Sequence, residues 1–188
     1  MNRSKDLPPE TLETLARWEA DEARVRGLLA EPGVARREQL AGMTGMDMFE
    51  AIGSGCLPSV PIGAAMDFWP VAYERGQFVF QGRPSARFLN PLGTIHGGWI
   101  ATLLDSAVAC AVHTLLPADT SYTTAELKVS YVRALTLDVP LVRAEGKVIN
   151  SGRTLGFAEG RLVGPDGRLY AHATTTCVVL GGGRANGT

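Results

Sequence analysis

The chain has few of the residues that build disulfide-bonded or metal-bound domains. Its 188 residues include three cysteines and three histidines, and no two cysteines form a Cys-x-x-Cys pair. Because the cysteines are odd in number and widely spaced, neither a disulfide framework nor a zinc knuckle is expected. The histidines, at positions 96, 113 and 172, are too far apart for a local pair of metal ligands. The sequence therefore predicts free thiols, no bound metal and a reducing, cytoplasmic location.

The chain also lacks a net charge large enough to select a polyanionic partner. Nineteen acidic residues balance eighteen basic ones, for a formal net charge of -1. This balance predicts no general affinity for nucleic acid or for an acidic membrane. Residues 1–10 carry charges and two prolines where a secretory signal would have its apolar segment, so export is not predicted. There is no internal repeat, Walker loop, dinucleotide-binding glycine fingerprint or heptad seam.

One long apolar segment stands out, from Gly97 to Leu116. It could just span a bilayer, but Asp105 and His113 interrupt it and no charged flanks anchor it. A buried helix is the better interpretation. The chain is 45% hydrophobic and 20% charged, which is ordinary for a soluble globular protein. Its length fits one domain with an adequate core.

Two helical segments are predicted ahead of the main fold. Between Pro9 and Ala30, apolar residues recur at roughly helical spacing, and prolines occupy the first turn, where they are tolerated. A second, shorter helix is predicted from Arg36 to Ile52, and the glycine- and proline-rich segment Gly53 to Pro61 indicates a connector. We therefore divide the chain into an N-terminal helical extension and linker (1–61), a main domain (62–180) and a flexible tail (181–188).

Strand patterns dominate the rest of the main domain. Beyond the apolar segment, Leu127, Val129 and Tyr131 alternate with polar residues, as on a strand with one buried face. The other predicted strands are Met66 to Glu74 and Gln77 to Gly82, joined at Arg75-Gly76, and then Leu141 to Asn150, Arg153 to Val163 and Arg168 to Leu180. Turn residues separate the last three into an antiparallel meander. Strands in this number around one apolar helix predict an α+β domain whose sheet wraps the helix.

Chemistry is expected where the apolar helix begins, at Gly97 and Gly98. The first N–H groups of a helix have no intrahelical acceptor and lie at the positive end of its dipole, so they can stabilise an oxyanion. Two glycines leave the backbone open to a substrate carbonyl, as acyl transfer requires. The alternative is that Gly97-Gly98 only permits close packing of the helix.

Asp105 is the carboxylate on this helix, and its spacing from Gly97 predicts a dimer. Eight residues separate the two, which is about 12 Å along a helix axis. Catalytic groups must come within about 3 Å of the reacting atoms, so one helix cannot supply both. A two-fold dimer with antiparallel helices would place Gly97 of one chain near Asp105 of the other, in two composite sites. Apolar neighbours would make Asp105 a stronger base, and the alternative is a structural carboxylate paired across the interface.

Two residues ahead of the helix are further candidates. His96 directly precedes it and either caps the helix or orients a substrate. Asn90 can hydrogen-bond a water or a carbonyl, but its position before Pro91 equally fits turn chemistry.

The combined pattern resembles a known family. The chain contains Asn90-x-x-Gly93-x-x-His96-Gly97-Gly98, followed by Asp105 and by Thr124-x-Glu126-Leu127-x-x-x-Tyr131-x-Arg133. This combination is similar to the hotdog-fold acyl-CoA thioesterases of the phenylacetate-pathway (PaaI-like) and hydroxybenzoyl-CoA type, over about residues 62–180. It implies an α+β hotdog fold, with a central helix wrapped by an antiparallel sheet of about six strands. It also implies homodimers, often paired into homotetramers, that hydrolyse an acyl-CoA thioester at the dimer interface without a cofactor.

The resemblance implies roles for residues at the start of the helix. The Gly97 N–H would bind the thioester oxygen, with Asn90 and His96 beside it and Gly98 in contact with substrate. Asp105 of the partner subunit would be the general base or the nucleophile. This assignment requires the two chains that the helical spacing predicts.

Two further regions are implicated by the same resemblance. Thr124 matches a hydroxyl position that helps to place the attacking water. Strict alternation puts Thr124 on the strand face opposite Leu127, so this role requires a local bend. The turn at 151–154 resembles a CoA-contacting hairpin, in which Gly152, Arg153 and Thr154 would bind substrate.

Two other functions stay open on the sequence alone. A hotdog dehydratase or hydratase would need a catalytic histidine on a different motif, which we do not find here. A non-catalytic acyl-CoA-binding protein of the same fold would keep Asp105 only as a buried polar group. The extension is longer than compact family members need, and Trp18 and Phe49 on it would cover the acyl pocket or enlarge the oligomer interface.

Overall fold

The computed structural model describes residues 7–181 as a six-stranded antiparallel sheet packed against one long central helix, preceded by four further helices. The helices are α1 (Pro9–Leu28), α2 (Arg37–Leu40), α3 (Gly45–Gly53), α4 (Pro61–Met66) and α5 (Gly97–His113), with a 3-10 turn at Ala86–Phe88. The strands are β1 (Ala30–Pro32), β2 (Pro58–Ser59), β3 (Phe68–Glu74), β4 (Gln77–Gly82), β5 (Ser121–Tyr131), β6 (Val142–Ser151), β7 (Leu155–Val163) and β8 (Leu169–Leu180).

The main sheet has the strand order β3-β4-β6-β7-β8-β5, and every neighbouring pair is antiparallel. The hairpin β3–β4 and the meander β6–β7–β8 are both as predicted. β5 crosses to the far edge and pairs with β8 alone among the described strands, because α5 separates it in sequence from the first hairpin. The predicted α+β architecture is confirmed.

The core lies between α5 and the sheet. The inward face of α5 is completely buried at Leu103, Leu104 and Val108, among others. Glycines in the strands let the helix approach: a Cβ on Gly146 would lie 2.2 Å from the Ala107 carbonyl oxygen. Over residues 7–181, no helix is both long and apolar enough to cross a membrane.

Helix α1 covers the opposite face of the sheet. Along β4, Phe78 and Phe80 belong to the core under α5, so the alternation turns Gln81 to the other side. There the Gln81 Nε2 donates to the Trp18 carbonyl at 2.9 Å. Trp18 packs in a cluster with Leu141 and Val163, which fixes the first helix on the sheet.

Several predicted boundaries need correction. The single helix predicted from Arg36 to Ile52 is wrong, because the chain turns at Gly42 with φ of 75° and starts again at α3. There the Thr44 hydroxyl accepts the Asp47 N–H at 3.2 Å as an N-cap. The predicted connector holds β2, which pairs in parallel with β1, and then α4.

Smaller differences lie at element ends. The first helix ends at Leu28 rather than Ala30, since Ala30 enters β1. The first strand of the main sheet begins at Phe68 rather than Met66, because Asp67 adopts a left-handed conformation that ends α4. The central helix ends at His113 rather than Leu116. Residues 182–188 of the predicted tail lie outside the described residues.

Candidate active site

One backbone donor at the start of α5 has no acceptor among residues 7–181. His96 is the N-cap, and its Nδ1 accepts the Gly98 N–H at 2.8 Å. The N–H groups of Trp99 and Ile100 both reach the His96 carbonyl oxygen. Of the first helical N–H groups, only that of Gly97 has no hydrogen-bond acceptor within residues 7–181. This N–H lies at the positive end of the dipole of a 17-residue helix and suits an anionic oxygen.

Tyr131, at the end of β5, holds Gly97 in place. Its hydroxyl donates to the Gly97 carbonyl oxygen at 2.9 Å. Its ring lies so close that a Cβ on Gly97 would come within 3.0 Å of it. About half of the tyrosine is exposed, so its ring forms a wall beside the free N–H. No role for this tyrosine was predicted, because its contact with Gly97 joins residues that are 34 positions apart in the sequence.

Asn90 shapes the loop that leads into α5. Its Oδ1 accepts the N–H groups of Leu92 at 2.9 Å and Thr94 at 3.2 Å, and its Nδ2 donates to the Thr94 hydroxyl at 2.8 Å. Gly93 completes the turn with φ of 80°. These bonds are the turn chemistry that the sequence offered as an alternative, and a direct role for Asn90 stays a prediction.

Asp105 is paired with Thr124 of the same chain. The Thr124 hydroxyl donates to the Asp105 Oδ1 at 3.0 Å. Strict alternation had placed Thr124 on the wrong face, but β5 shifts its register between Thr124 and Glu126. This bulge supplies the required bend and turns the hydroxyl toward the helix. The pair lies on the less buried side of α5, where Asp105 is half-buried.

The two halves of the predicted site stay apart within one chain. Gly97 and Asp105 both lie on α5, so the helical rise separates them by about 12 Å. The hairpin at 151–154 is more distant still, because Gly156 beside it packs against Val112 at the other end of α5. In that hairpin the Gly152 N–H donates to the Leu155 carbonyl at 2.8 Å, while Arg153 is exposed to solvent.

Thiols near Asp105 are poorly suited to nucleophilic attack. Burial raises the pKa of the Cys110 thiol to about 12, and a nearby Asp105 carboxylate adds to the rise. Burial also raises the pKa of Cys177. Since the thiolate is the reactive form of cysteine, both side chains stay protonated and inert at neutral pH. Neither thiol is therefore a candidate nucleophile for this site.

His113, in the last turn of α5, was not among the predicted site residues. Its ring packs edge-on against Phe49, with centroids 5.2 Å apart, and lies 4.9 Å from the ring of Tyr122. Burial lowers the pKa of His113 to about 4, so the imidazole is neutral at pH 7. Its aromatic partners come from α3 and β5, and sequence spacing alone does not reveal such contacts.

Known proteins share this architecture. Residues 92–171 match the sequence profile of the thioesterase superfamily. The chain is 34% identical to a candidate esterase of Caenorhabditis elegans over 118 residues, which cover 62% of this chain and 68% of that protein. It is 36% identical to a candidate esterase of Halobacterium salinarum over 91 residues, 47% of this chain but only 58% of that protein.

A solved structure supports the same relationship. It is that of a candidate thioesterase from Ralstonia eutropha JMP134, described as related to phenylacetic acid degradation. The two chains are 26% identical with a TM-score of 0.64, over 72% of this chain and 99% of the other. The family profile spans Gly97, Asp105 and Thr124, the residues that the geometry singles out. The chain thus belongs to the thioesterase superfamily, a family of thioester hydrolases, and has its hotdog fold.

Proposed function

We propose that this protein hydrolyses an acyl-CoA thioester to the free acid and CoA, at a site completed by two subunits. The observation that carries the proposal is that one helix bears both a free Gly97 N–H and an Asp105 carboxylate that is hydrogen-bonded to a threonine. Membership of a thioester hydrolase family supports the reaction class.

The chemistry follows from these two groups. The thioester oxygen accepts the Gly97 N–H, which with the helix dipole stabilises the tetrahedral oxyanion. The Asp105 carboxylate accepts a proton from water as the water oxygen bonds to the carbonyl carbon. When the C–S bond breaks, that proton passes to the departing CoA sulfur. In the nucleophilic variant Asp105 attacks directly, the thiolate leaves, and water hydrolyses the resulting anhydride.

The free edge of β5 supports the two-chain arrangement. β5 is 11 residues long and pairs with β8 on one side alone within the described chain. Long exposed edges readily pair with a second strand. Antiparallel pairing of two β5 strands brings the Tyr131 end of one against the Ser121 end of the other. Tyr131 is hydrogen-bonded to Gly97, and Thr124, near Ser121, is hydrogen-bonded to Asp105. Pairing of the two strands therefore brings Gly97 of one subunit toward Asp105 of the other.

The hairpin at 151–154 fits the CoA part of the substrate in the same arrangement. It lies at the His113 end of α5, and antiparallel helices bring that end toward Gly97 of the other subunit. Arg153 is exposed there and can pair with a phosphate, with Gly152 and Thr154 beside it. A homodimer is the smallest assembly that this proposal needs, and pairing into a homotetramer is compatible with it.

The direct test is release of CoA thiol from a panel of short, medium and aromatic acyl-CoAs. We expect Asp105→Asn to lower kcat by about 10²- to 10⁴-fold, because removal of a general base typically costs that much. Glu159→Gln is the matched control: Glu159 is an exposed carboxylate on β7, and its variant should keep the wild-type rate.

The outcomes separate the alternatives. If Asp105→Asn keeps the wild-type rate, Asp105 does not act in hydrolysis. If the wild type binds acyl-CoA but releases no thiol from any of them, the protein is a non-catalytic binding protein of this fold. Hydration of an enoyl-CoA without thiol release would assign it to the hydratase class.

A further inference from the structure

A cavity of about 840 Å³ lies between the N-terminal extension and the His113 end of α5. One wall consists of Leu40, Met43 and Met48 from α2, α3 and the segment between them. The facing wall includes His113 and Tyr122. Its volume falls in the range of cavities that hold small organic ligands. The extension therefore forms one side of an open cavity as well as covering the sheet.

The extension is fixed firmly enough to serve as a wall. The Gly45 N–H donates to the Leu116 carbonyl at 3.1 Å, and the Gly42 N–H donates to Asp119 Oδ1 at 3.4 Å. Gly45 sits so close to the end of α5 that a Cβ there would lie 1.8 Å from the His113 carbonyl oxygen. The start of α3 is thus seated directly on α5.

The cavity wall and the Asp105–Thr124 pair share strand β5. Tyr122, in its wall, precedes Thr124 by two residues on β5. The Tyr122 side chain and the charge of Asp105 both act on the Cys110 thiol. A short stretch of α5 and β5 therefore joins the cavity wall to the carboxylate. With two β5 strands paired, the cavity lies near Gly97 of the other subunit as well.

On the side formed by the extension, the lining suits an apolar group of adaptable shape, whereas Thr120 and Ser121 on the facing side are polar. Methionine side chains are flexible and polarisable, so Met43 and Met48 can pack around chains of different form. The neutral His113 ring adds no charge. The charged members of the lining, Arg37 and Asp119, are exposed to solvent.

We propose that this cavity receives the acyl group of the substrate and that residues 37–48 of the extension determine which acyl-CoA thioesters are accepted. The inference rests on the proposed thioesterase function. The favoured class is acyl-CoA with a medium-length, apolar acyl chain. Short acyl groups leave the methionine wall uncontacted and gain no binding energy from it.

The experiment compares thiol release from acetyl-, hexanoyl- and decanoyl-CoA. Met43→Trp narrows the cavity at the methionine wall and should lower kcat/KM for decanoyl-CoA by at least about tenfold relative to acetyl-CoA. Met43→Ala enlarges it and should shift the preference toward longer chains. Val34→Trp is the matched control, since Val34 is an 85% exposed residue of the same extension outside the cavity lining. Circular dichroism and melting curves verify that each variant is folded.

The results discriminate between this inference and the proposed function. If the wild type releases thiol but prefers acetyl-CoA, or if both Met43 variants keep the wild-type chain-length profile, the cavity does not hold the acyl group. If Val34→Trp changes the profile as strongly as Met43→Trp, the effect is not local and the inference also fails. If the wild type releases thiol from none of the three, the proposed function itself fails for this substrate class.

Discussion

At the scale of single residues, His113 links the stability of the fold to pH. Its pKa is lowered to about 4 by burial, whereas the unfolded chain has the ordinary value near 6.5. Between these values the unfolded state binds a proton that the folded state does not. The stabilisation is therefore complete above pH 6.5 and falls as pH is lowered toward 4.

We predict that His113→Phe removes this dependence while keeping ring packing against Phe49 and Tyr122. Between pH 7.5 and 5.0 the wild type should lose about 2 kcal/mol of unfolding free energy through His113, from the two pKa values. Over the same pH interval, the unfolding free energy of the variant should fall by about 2 kcal/mol less than that of the wild type. Urea unfolding at both pH values measures the difference. Equal losses in the two proteins would contradict a buried, neutral His113.

The places of Gly97 at a helix start and of Asp105 on the same helix could be predicted from sequence, because both depend on local features. The sequence alone is enough to recognise a helix start with two glycines and a lone carboxylate on an apolar helix. The contacts of Tyr131 with Gly97 and of His113 with Phe49 are different, because each depends on how distant elements pack. Thr124 lies between these cases: its residue type matched the family, but its orientation depends on a bulge that strand alternation cannot reveal.

At the scale of elements, glycines in the strands control how closely α5 approaches the sheet. We predict that Gly146→Ala destabilises the protein by about 1–3 kcal/mol or more, because overpacking forces the helix backbone to move. The added Cβ would meet the Ala107 carbonyl oxygen at 2.2 Å, and backbone gives way less readily than a flexible side chain. Chemical denaturation measures the loss.

Gly152→Ala provides the matched control for this prediction. The nearest atom to its Cβ, apart from the chain neighbours, is the Leu155 carbonyl oxygen at 3.6 Å, an ordinary contact distance. This variant should stay close to wild-type stability. If both variants unfold at the same denaturant concentration, close helix packing does not explain the glycine in β6.

Elements with a strong periodic pattern were predictable, and those defined by distant partners were not. The hairpin β3–β4, the meander β6–β7–β8 and helix α5 all follow from alternation, turn residues and an apolar run. The break between α2 and α3 was missed because helical spacing continues through it, while Gly42 and the Thr44 cap decide the local geometry. β1 and β2 are short, and their paired residues Ala30 and Pro58 are 28 positions apart in the sequence. No local sequence pattern therefore predicts either strand.

At the scale of the whole molecule, α1 occupies part of the outer sheet face. Glu22 is only 5% exposed and accepts hydrogen bonds from Arg26 at 3.0 Å and from Arg83 at 2.9 Å. Arg143 lies 4.5 Å over the Trp18 ring and bonds Asp21 at 2.6 Å. Because α1 covers part of the outer face of β3, β4 and β6, another sheet cannot stack on that part. Any pairing of dimers must use another surface.

The composite site predicts complementation between two inactive subunits. We expect Asp105→Asn and Gly97→Val each to abolish most activity as pure proteins, the second because its side chain meets Tyr131 and covers the free N–H. In mixed dimers formed by co-expression, one of the two sites keeps both native residues. Random pairing at equal amounts should restore about one quarter of wild-type thiol release. No recovery, with mixed dimers present by mass spectrometry, would place the whole site within one chain.

The parallel pair β1–β2 has a further consequence for how such a protein can diversify. Because Ala30 is paired with Pro58 and Pro32 with Ser59, the chain leaves and re-enters the body of the protein at nearly the same point. The excursion between them carries α2 and α3, yet its two ends are fixed relative to each other whatever lies between. Its length can therefore change at little cost in loop closure, provided that Gly45 and Phe49 keep their contacts with the end of α5 and with the core. Under the proposal that residues 37–48 select the acyl group, the substrate range can change through this segment while α5 and the main sheet stay the same.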